Sequence, residues 1–419
     1  MAVIRLLTAR DSMAEYLDLR IRAFGPGDEE RILADAQAAI AGQRCLAAFD
    51  DGHLIGVALF FDLRQWWLGR AVPMAGVGGV KVAPEYRAKG VGRALMTGLT
   101  QLMAERGHPL SALYAATAPF YRRLGWEQAG AVATAAVPAR SLLSLARPDL
   151  TGAAGAVPLV RRAGPDDAAE VIAALGCAHE VARDCGPVTF DQGTVRQWLT
   201  AGRWAGKERY AYLADDGFLA YRWHGGHGEI VVDKLVAVSP ETTRALWSVV
   251  ASHSSVARTI RAQVAPADPI WWLLREQDIK PVTRYWWMLR ALDAPGAIAA
   301  RGFPAVDIEV PLHIADDQIP ANTGSWMLTV RSGAGSLERS AGPASAGPAS
   351  AGPVSAGPAS ARAAAGDPLR LGARGLAALY AGTPVATLRR AALAAGGSPG
   401  SDVALDSAFA ATPFMLDAF

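Results

Sequence analysis

The chain has 419 residues, 51% hydrophobic and 19% charged, which is enough apolar mass for two or three buried cores. A net charge of +2, with no polybasic run and no basic stripe interleaved with aromatics, argues against a nucleic-acid partner. No apolar run approaches the roughly 18–20 residues that span a bilayer, and the start MAVIRLLTARD has no signal-peptide core followed by a cleavage site, so a cytoplasmic protein without a membrane partner is expected.

In chain order, residues 3–7 read as a strand and 9–23 as a helix, followed by an acidic, glycine-bearing loop at 24–30 suited to substrate entry. Apolar runs at 44–49 and 53–61 flank Asp50-Asp51-Gly52, a short hairpin signal. Trp66 and Trp67 are read as packing residues, since large aromatics dominate cores. Residues 77–96 then read as strand, turn and helix, the helix marked by an apolar repeat at Val91, Leu95, Leu99 and Leu102. Across the turn, Arg87, Gly90 and Gly92 spell R-x-x-G-x-G. Unpaired backbone N–H groups and the positive end of the helix dipole can receive a phosphate there, and glycine lets the ligand approach the backbone. The loop has no G-K-[ST], so a nucleotide-hydrolase P-loop is set aside. Residues 110–115 supply a further strand, 119–124 a short helix, and Trp126 onward another strand.

The second segment is a degenerate echo of the first. The pattern V-x-V-x-P-E occurs at Val80, Val82, Pro84 and Glu85 and again at Val236, Val238, Pro240 and Glu241. Arg93 lies nine positions after Pro84, but Arg244 only four after Pro240, and the missing stretch includes the phosphate loop. A duplicated domain that kept its fold and lost its cofactor is expected. After a boundary near 292–304 comes a third unit, with strand-like runs at 307–314 and 325–331 and helical ones at 375–380 and 385–392. Between them, the pentapeptide repeat at 340–359 has too little apolar bulk to offset its ordering entropy and reads as a disordered surface loop.

Cys45, Cys177 and Cys185 form neither C-x-x-C nor an even framework, so buried reduced thiols are expected. His224 and His227 lack an acidic or cysteine partner nearby, and no metal is expected.

The V-x-V-A-P strand, the R-x-x-G-x-G loop and LYAATAPFYRRLGW about twenty residues beyond the helix together resemble the acetyl-CoA core of the GCN5-related N-acetyltransferases. A tandem pair of about 400 residues with an inactive second copy, a third domain and an apolar PFMLDAF terminus resembles the enhanced intracellular survival (Eis) acetyltransferases. The resemblance implies an α/β fold of the α+β kind. Two tandem acetyltransferase folds, each a mixed central sheet flanked by helices, would be followed by a sterol-carrier-like α+β domain, at 1–135, 136–295 and 296–419. It implies acetyl-CoA as co-substrate, with Val80, Lys81 and Val82 meeting pantetheine and Arg87, Ala88, Lys89, Gly90, Val91, Gly92 and Arg93 cradling the pyrophosphate. Ala116 and Thr117 match further coenzyme positions, although the family commonly has a serine-acidic pair there.

The same resemblance implies Tyr121 as proton donor and the α-carboxylate of Phe419 as proton acceptor. Cationic multi-amine compounds such as aminoglycosides, or protein lysines, would be the acceptors, and a homo-oligomer, a hexamer in the family, the assembly. A phenol of pKa about 10 is protonated at neutral pH and close to matched with a departing thiol, and the N–H of Val82 would stabilise the oxyanion. A terminal carboxylate of pKa about 3.3–3.7 is a weak base unless desolvated or relayed through water. Asp28 in the acidic loop and Asp417 near the terminus are expected to draw cationic substrates. An apolar-ligand carrier or an acetyl-CoA sensor without turnover remains the alternative.

Overall fold

The computed structural model describes residues 2–145, 158–201, 203–204, 207–225, 228–275, 280–340, 367–417 and 419. The pentapeptide repeat, from residue 341 on, and His227 lie outside the described residues.

The first unit opens with β1 (Val3–Leu6) and α1 (Met13–Phe24), whose start is capped by the Ser12 side chain accepting from the Glu15 N–H. The acidic stretch ends sooner than the sequence reading expects, because Glu29 and Glu30 form the first turn of α2 (Glu29–Ala41), where the helix dipole favours them. An alanine-rich helix has little hydrophobic periodicity, so its pattern is faint in the sequence. Next come β2 (Cys45–Asp50), β3 (His53–Trp67), β4 (Arg70–Val82), α3 (Val91–Glu105), β5 (Leu110–Leu113), α4 (Ala118–Arg122) and β6 (Glu127–Pro138). β2 and β3 pair antiparallel through Asp51 and Gly52, both at positive φ, the conformation a two-residue hairpin requires. Trp66 and Trp67 are both buried.

The second unit contains β7 (Arg161–Arg162), α5 (Ala168–Val181), β8 (Cys185–Thr189), α6 (Gln192–Ala201), β9 (Arg203–Trp204), β10 (Lys207–Glu208), β11 (Tyr210–Ala214), β12 (Gly217–His224), β13 (Glu229–Ala237), α7 (Pro240–Ala251), β14 (Thr259–Val264), α8 (Ile270–Leu273) and β15 (Lys280–Ala291). The two copies share one 13-stranded sheet in the order β1-β2-β3-β4-β5-β15-β6-β14-β13-β12-β11-β7, with β8 paired to the end of β3. Their last strands are exchanged. β5 pairs with β15 of the second copy, and β14 pairs with β6 of the first. The division expected at 135/136 therefore falls inside β6, a strand that belongs by chain order to one copy and by pairing to the other.

The third unit holds α9 (Ala294–Ala300), β16 (Ile308–Ala315), β17 (Gly324–Arg331), β18 (Ala334–Arg339), β19 (Leu369–Gly372), α10 (Ala373–Tyr380), α11 (Val385–Arg390), β20 (Ala394–Gly396) and α12 (Pro399–Ala408). Its five strands run β18-β17-β16-β19-β20. Its core is continuous with that of the first unit. Trp67 meets Tyr380 edge-on at 4.9 Å, and the buried Arg301 guanidinium lies 4.4 Å from the Tyr380 ring centroid and 4.9 Å from that of Phe409. The chain's last residues therefore leave α12 already seated against the first unit.

Candidate active site

β4 and β5 run parallel for four residue pairs, from Met74 with Leu110 to Val77 with Leu113. β5 then ends, while β4 continues to Val82. From Gly78 onward the two diverge, leaving one edge of β4 open over the stretch expected to meet pantetheine. On the other edge, the Ala83 N–H donates to the Ile55 carbonyl, so by strand alternation the Val82 N–H faces the open side. A bulge opposite Ala58, with Gly79 at φ +59°, shifts the register between Gly78 and Lys81.

That bulge settles where Lys81 goes. Val80 and Val82 pack towards α3, while the Lys81 side chain turns to the opposite face. There its Nζ lies 4.0 Å from the Tyr16 ring centroid and 3.3 Å from the Gly79 carbonyl. Burial lowers its pKa to about 8. Along the open edge Lys81 therefore presents its backbone, while its ammonium lies on the other face.

The loop after β4 is built to leave N–H groups unpaired. Pro84–Tyr86 forms one 3₁₀ turn, pinned by the Tyr86 hydroxyl donating to Asp50 at 3.0 Å and by the Arg22–Glu85 ion pair at 3.1 Å. Gly90 is the N-cap of α3 at φ +84°, with no side-chain cap and open space where a Cβ would stand. The first intrahelical bond runs from the Ala94 N–H to the Gly90 carbonyl, so those of Val91, Gly92 and Arg93 have no partner within the helix. Arg87, Ala88, Lys89 and Arg93 are exposed around them. A Cβ on Gly92 would sit 3.6 Å from both Phe120 and Val82, which brings the loop, the open strand and α4 to one place. α3 is held by a buried stripe of Val91, Leu95, Met96, Leu99, Thr100 and Met103. The uncapped turn, the positive rim and the open strand edge fit a pyrophosphate with its pantetheine arm.

Ala116 and Thr117 are exposed beyond β5, with Thr117 at the N-cap of α4. Tyr121 on α4 is buried, edge-on to Phe120 at 4.9 Å and to Trp126 at 6.4 Å. Burial and the neighbouring Tyr285 push its pKa up to about 12. The chain's terminus reaches the same fork. The Phe419 carboxyl carbon lies 3.8 Å from where a Cβ on Gly78 would stand, and its ring lies 5.5 Å from that of Tyr114. Tyr114 stacks on Tyr285 at 5.3 Å and donates its hydroxyl to the Asp417 carbonyl. Tyr114, Tyr285, Gly76 and Gly78 are site residues the sequence reading did not single out. The available signal was M-A-G-V-G-G-V, since glycines inside a strand mark a close approach.

The two acidic residues part company. Asp28 is exposed and directly precedes α2, its carbonyl accepting from the Ile32 N–H. Asp417 is 3% exposed, and both its carboxylate oxygens accept from Lys234, at 2.7 and 2.8 Å. A carboxylate buried against a lysine offers no charge at a pocket mouth, so Asp417 is an internal anchor rather than a lure for cations. Among the described residues, no group of three His, Cys, Asp or Glu side chains could hold a metal ion, and no helix is long and apolar enough to cross a membrane. Cys45 and Cys185 are buried thiols, but Cys177 is exposed, against expectation.

The second copy has a similar fork but a differently built helix start. β13 and β14 run parallel from Glu229 with Thr259 to Val232 with Ala262, and β13 then continues to Ala237. Here the helix start is filled from within. The Ser239 side chain accepts from the Thr242 N–H, while Asp216 accepts from the Ser239 N–H and the Thr242 hydroxyl. Burial raises the Asp216 pKa, but the Thr242 and Ser239 donors outweigh it and hold the carboxyl below its usual range. A carboxylate already caps α7 where a phosphate would have to bind.

Models of the acetyltransferase (GNAT) domain match residues 3–129 and 192–291, and the sterol carrier protein domain matches residues 294–416. A GCN5-related N-acetyltransferase from Kribbella flavida superposes with a TM-score of 0.86 at 40% identity, covering 100% of this chain and 98% of that one. The chain belongs to the GCN5-related N-acetyltransferase family, in a tandem form closed by a sterol-carrier domain. It is also similar to Eis1 from Mycobacterium abscessus, with a TM-score of 0.74 at 25% identity over the full length of both chains. The N-acetyltransferase Eis of Mycobacterium tuberculosis is 29% identical over 262 residues, which is 60% of this chain and 63% of that protein.

Proposed function

We propose that this chain transfers the acetyl group of acetyl-CoA to amino groups of cationic multi-amine acceptors, either aminoglycoside-like compounds or lysine side chains. The observation that carries the proposal is the convergence of the Phe419 carboxyl carbon on Gly78 at the opening of the β4/β5 fork. Val80 to Val82 would hold the pantetheine arm along the open edge, and Arg87 to Arg93, with Ala116 and Thr117 beside them, the rest of the coenzyme. A neutral amine attacks the thioester carbonyl, whose developing negative charge meets the Val82 N–H. The C–S bond breaks, the departing thiolate takes the Tyr121 proton, and the Phe419 carboxylate takes the proton the amine releases. Asp28, with Glu29 and Glu30, would raise the local concentration of cationic acceptors, an attraction weakened by salt over a Debye length of about 8–10 Å. Assembly as a homo-hexamer and a cytoplasmic location belong to the same reading.

The test is thiol release from acetyl-CoA with a panel of polyamines and aminoglycosides, alongside calorimetric titration of acetyl-CoA. Turnover that depends on the acceptor supports the proposal. Acetyl-CoA binding without thiol release for any acceptor would make the chain a sensor, and no binding would leave it a carrier of another ligand.

A further inference from the structure

We infer that the second copy uses its vacated coenzyme fork to hold the chain's own terminus, and that Lys234 is the residue that positions the Phe419 carboxylate. The inference rests on the terminal carboxylate being the proton acceptor.

In the register of the V-x-V-x-P-E repeat, Lys234 is the counterpart of Gly78. Gly78 lies one residue beyond the last parallel pair of its fork, and Lys234 two beyond the last pair of its own. The terminal segment connects these equivalent places, with Asp417 bound to Lys234 and the Phe419 carboxyl carbon beside Gly78. The rest of the second fork also receives the tail. The Gln263 side-chain amide on β14 lies between the Asp233 and Leu416 carbonyls, and because both are acceptors its NH₂ is assigned to face them, at 2.9 and 2.5 Å. A cavity of about 470 Å³ is lined in part by Val236 and Ala237 of β13, Thr243 of α7 and Ala267 just after β14, and by Phe414 and Leu416 from the tail. With α7 capped by Ser239 and Asp216, this fork has lost its phosphate end and kept the groove.

The approach to the fork is held by backbone. The Phe414 N–H donates to the Cys185 carbonyl at 2.9 Å and the Met415 N–H to the Ala131 carbonyl at 3.3 Å. Gly186, at φ +105°, leaves room for the Phe414 carbonyl, which a Cβ would strike. Beyond Asp417 only two residues remain, about 7 Å when extended, so the anchor at Asp417 limits where the carboxylate can reach. Misplacing a reacting group by about 1 Å can cost about 10²-fold in rate. A lysine with both its charge and its partner buried fixes that position from an element of the second copy, which gives the catalytically silent copy a role in the reaction.

The test uses the full chain with acetyl-CoA and spermine, reading kcat, the acetyl-CoA dissociation constant and the melting temperature. Lys234→Met should lower kcat about 10- to 100-fold with acetyl-CoA affinity unchanged within twofold. Because that variant strands a buried carboxylate and can unfold the protein, the deciding variant is Lys234→Met with Asp417→Leu, which removes both charges and keeps an apolar contact. It should melt within a few degrees of the parent and still turn over slowly. Deleting Phe419 should lower kcat in the parent, yet cost little more in the paired variant, because both changes act through one carboxylate. Recovery of kcat along with the melting temperature in the paired variant overturns the inference, as does a full multiplicative loss on deleting Phe419 there. In both of those cases an impaired Phe419 deletion leaves the role of the terminus standing. A deletion with the parent's kcat overturns that role itself, and the inference with it.

Discussion

The ring of Phe419 lies on Gly76 so closely that a Cβ there would stand 2.7 Å from its Cδ2 and 2.8 Å from its Cε2. Gly76→Ala should therefore push the terminal residue out of place from the side of the strand, while the loop at Gly90 to Arg93 stays intact. Since the added methyl would also meet Leu63 at 2.7 Å, an overpacking cost of about 1–3 kcal/mol is expected. The expected outcome is a kcat at least about tenfold lower with unchanged acetyl-CoA affinity, read by initial rates and calorimetry. An unaltered kcat would detach the terminus from the chemistry. Extending the chain by a C-terminal tag should be comparably harmful, because it replaces the carboxylate with an amide, whereas an N-terminal tag should be silent.

Tyr121→Phe should lower kcat by about 10²- to 10⁴-fold and leave acetyl-CoA affinity unchanged, because only the departing thiolate loses its proton donor. Burial raises this phenol to about 12, so it stays protonated throughout the usual assay range. The parent's kcat should show no loss attributable to Tyr121 up to about pH 10. A limb at pH 8–9 that vanishes in the phenylalanine variant would mean the hydroxyl is less buried than described.

Acetyl-CoA should bind once per chain, since the start of α3 is uncapped while that of α7 is filled by Ser239 and Asp216. Gly92→Val places two methyl groups beyond a Cβ already 3.6 Å from Phe120 and Val82, at the rim of the uncapped turn. Calorimetry should show affinity collapsing in this variant while the melting temperature falls by a few degrees at most. Two equivalents bound per parent chain would show that the Asp216-capped copy still takes the coenzyme.

Lys81→Met should stabilise the protein, and the gain should depend on pH. Burial lowers the folded-state pKa to about 8 from the ordinary lysine value of 10.5. The ammonium therefore imposes its full cost below pH 8, where both states are protonated. As pH rises from 8 to 10.5, the unfolded state holds the proton more tightly and the parent's stability climbs; above that range the cost is gone. The shift corresponds to roughly 3 kcal/mol, partly offset by the Tyr16 ring below the ammonium. Thermal melts of both proteins at pH 7 and near pH 10.5 check this, with the difference expected to shrink at the higher pH. Acetyl-CoA affinity should not change, since only the backbone of Lys81 faces the fork.

What could be read from the chain alone was encoded over short spans. The turn at Asp51-Gly52 needs two positive φ angles, the loop at Gly90 and Gly92 needs a backbone free of Cβ atoms, and the apolar stripe of α3 needs only helical spacing; each is visible within about fifteen residues. The V-x-V-x-P-E repeat was legible for the same reason, being two copies of a local pattern, and the loss of the loop from the second copy showed as a shorter gap. Tertiary structure alone decided where these pieces meet. The exchange of β6 and β15 depends on pairing between strands more than 120 residues apart in sequence, where several partners satisfy the same alternation of apolar residues. The bulge at Gly79 reverses the facing of everything after it, which is why the Lys81 side chain lies by Tyr16 rather than on the α3 face. Asp417 looked like a surface acid because a carboxylate by itself gives no sign of a buried partner, and Lys234, which neutralises it, is brought there only when the terminal segment threads the fork of the second copy.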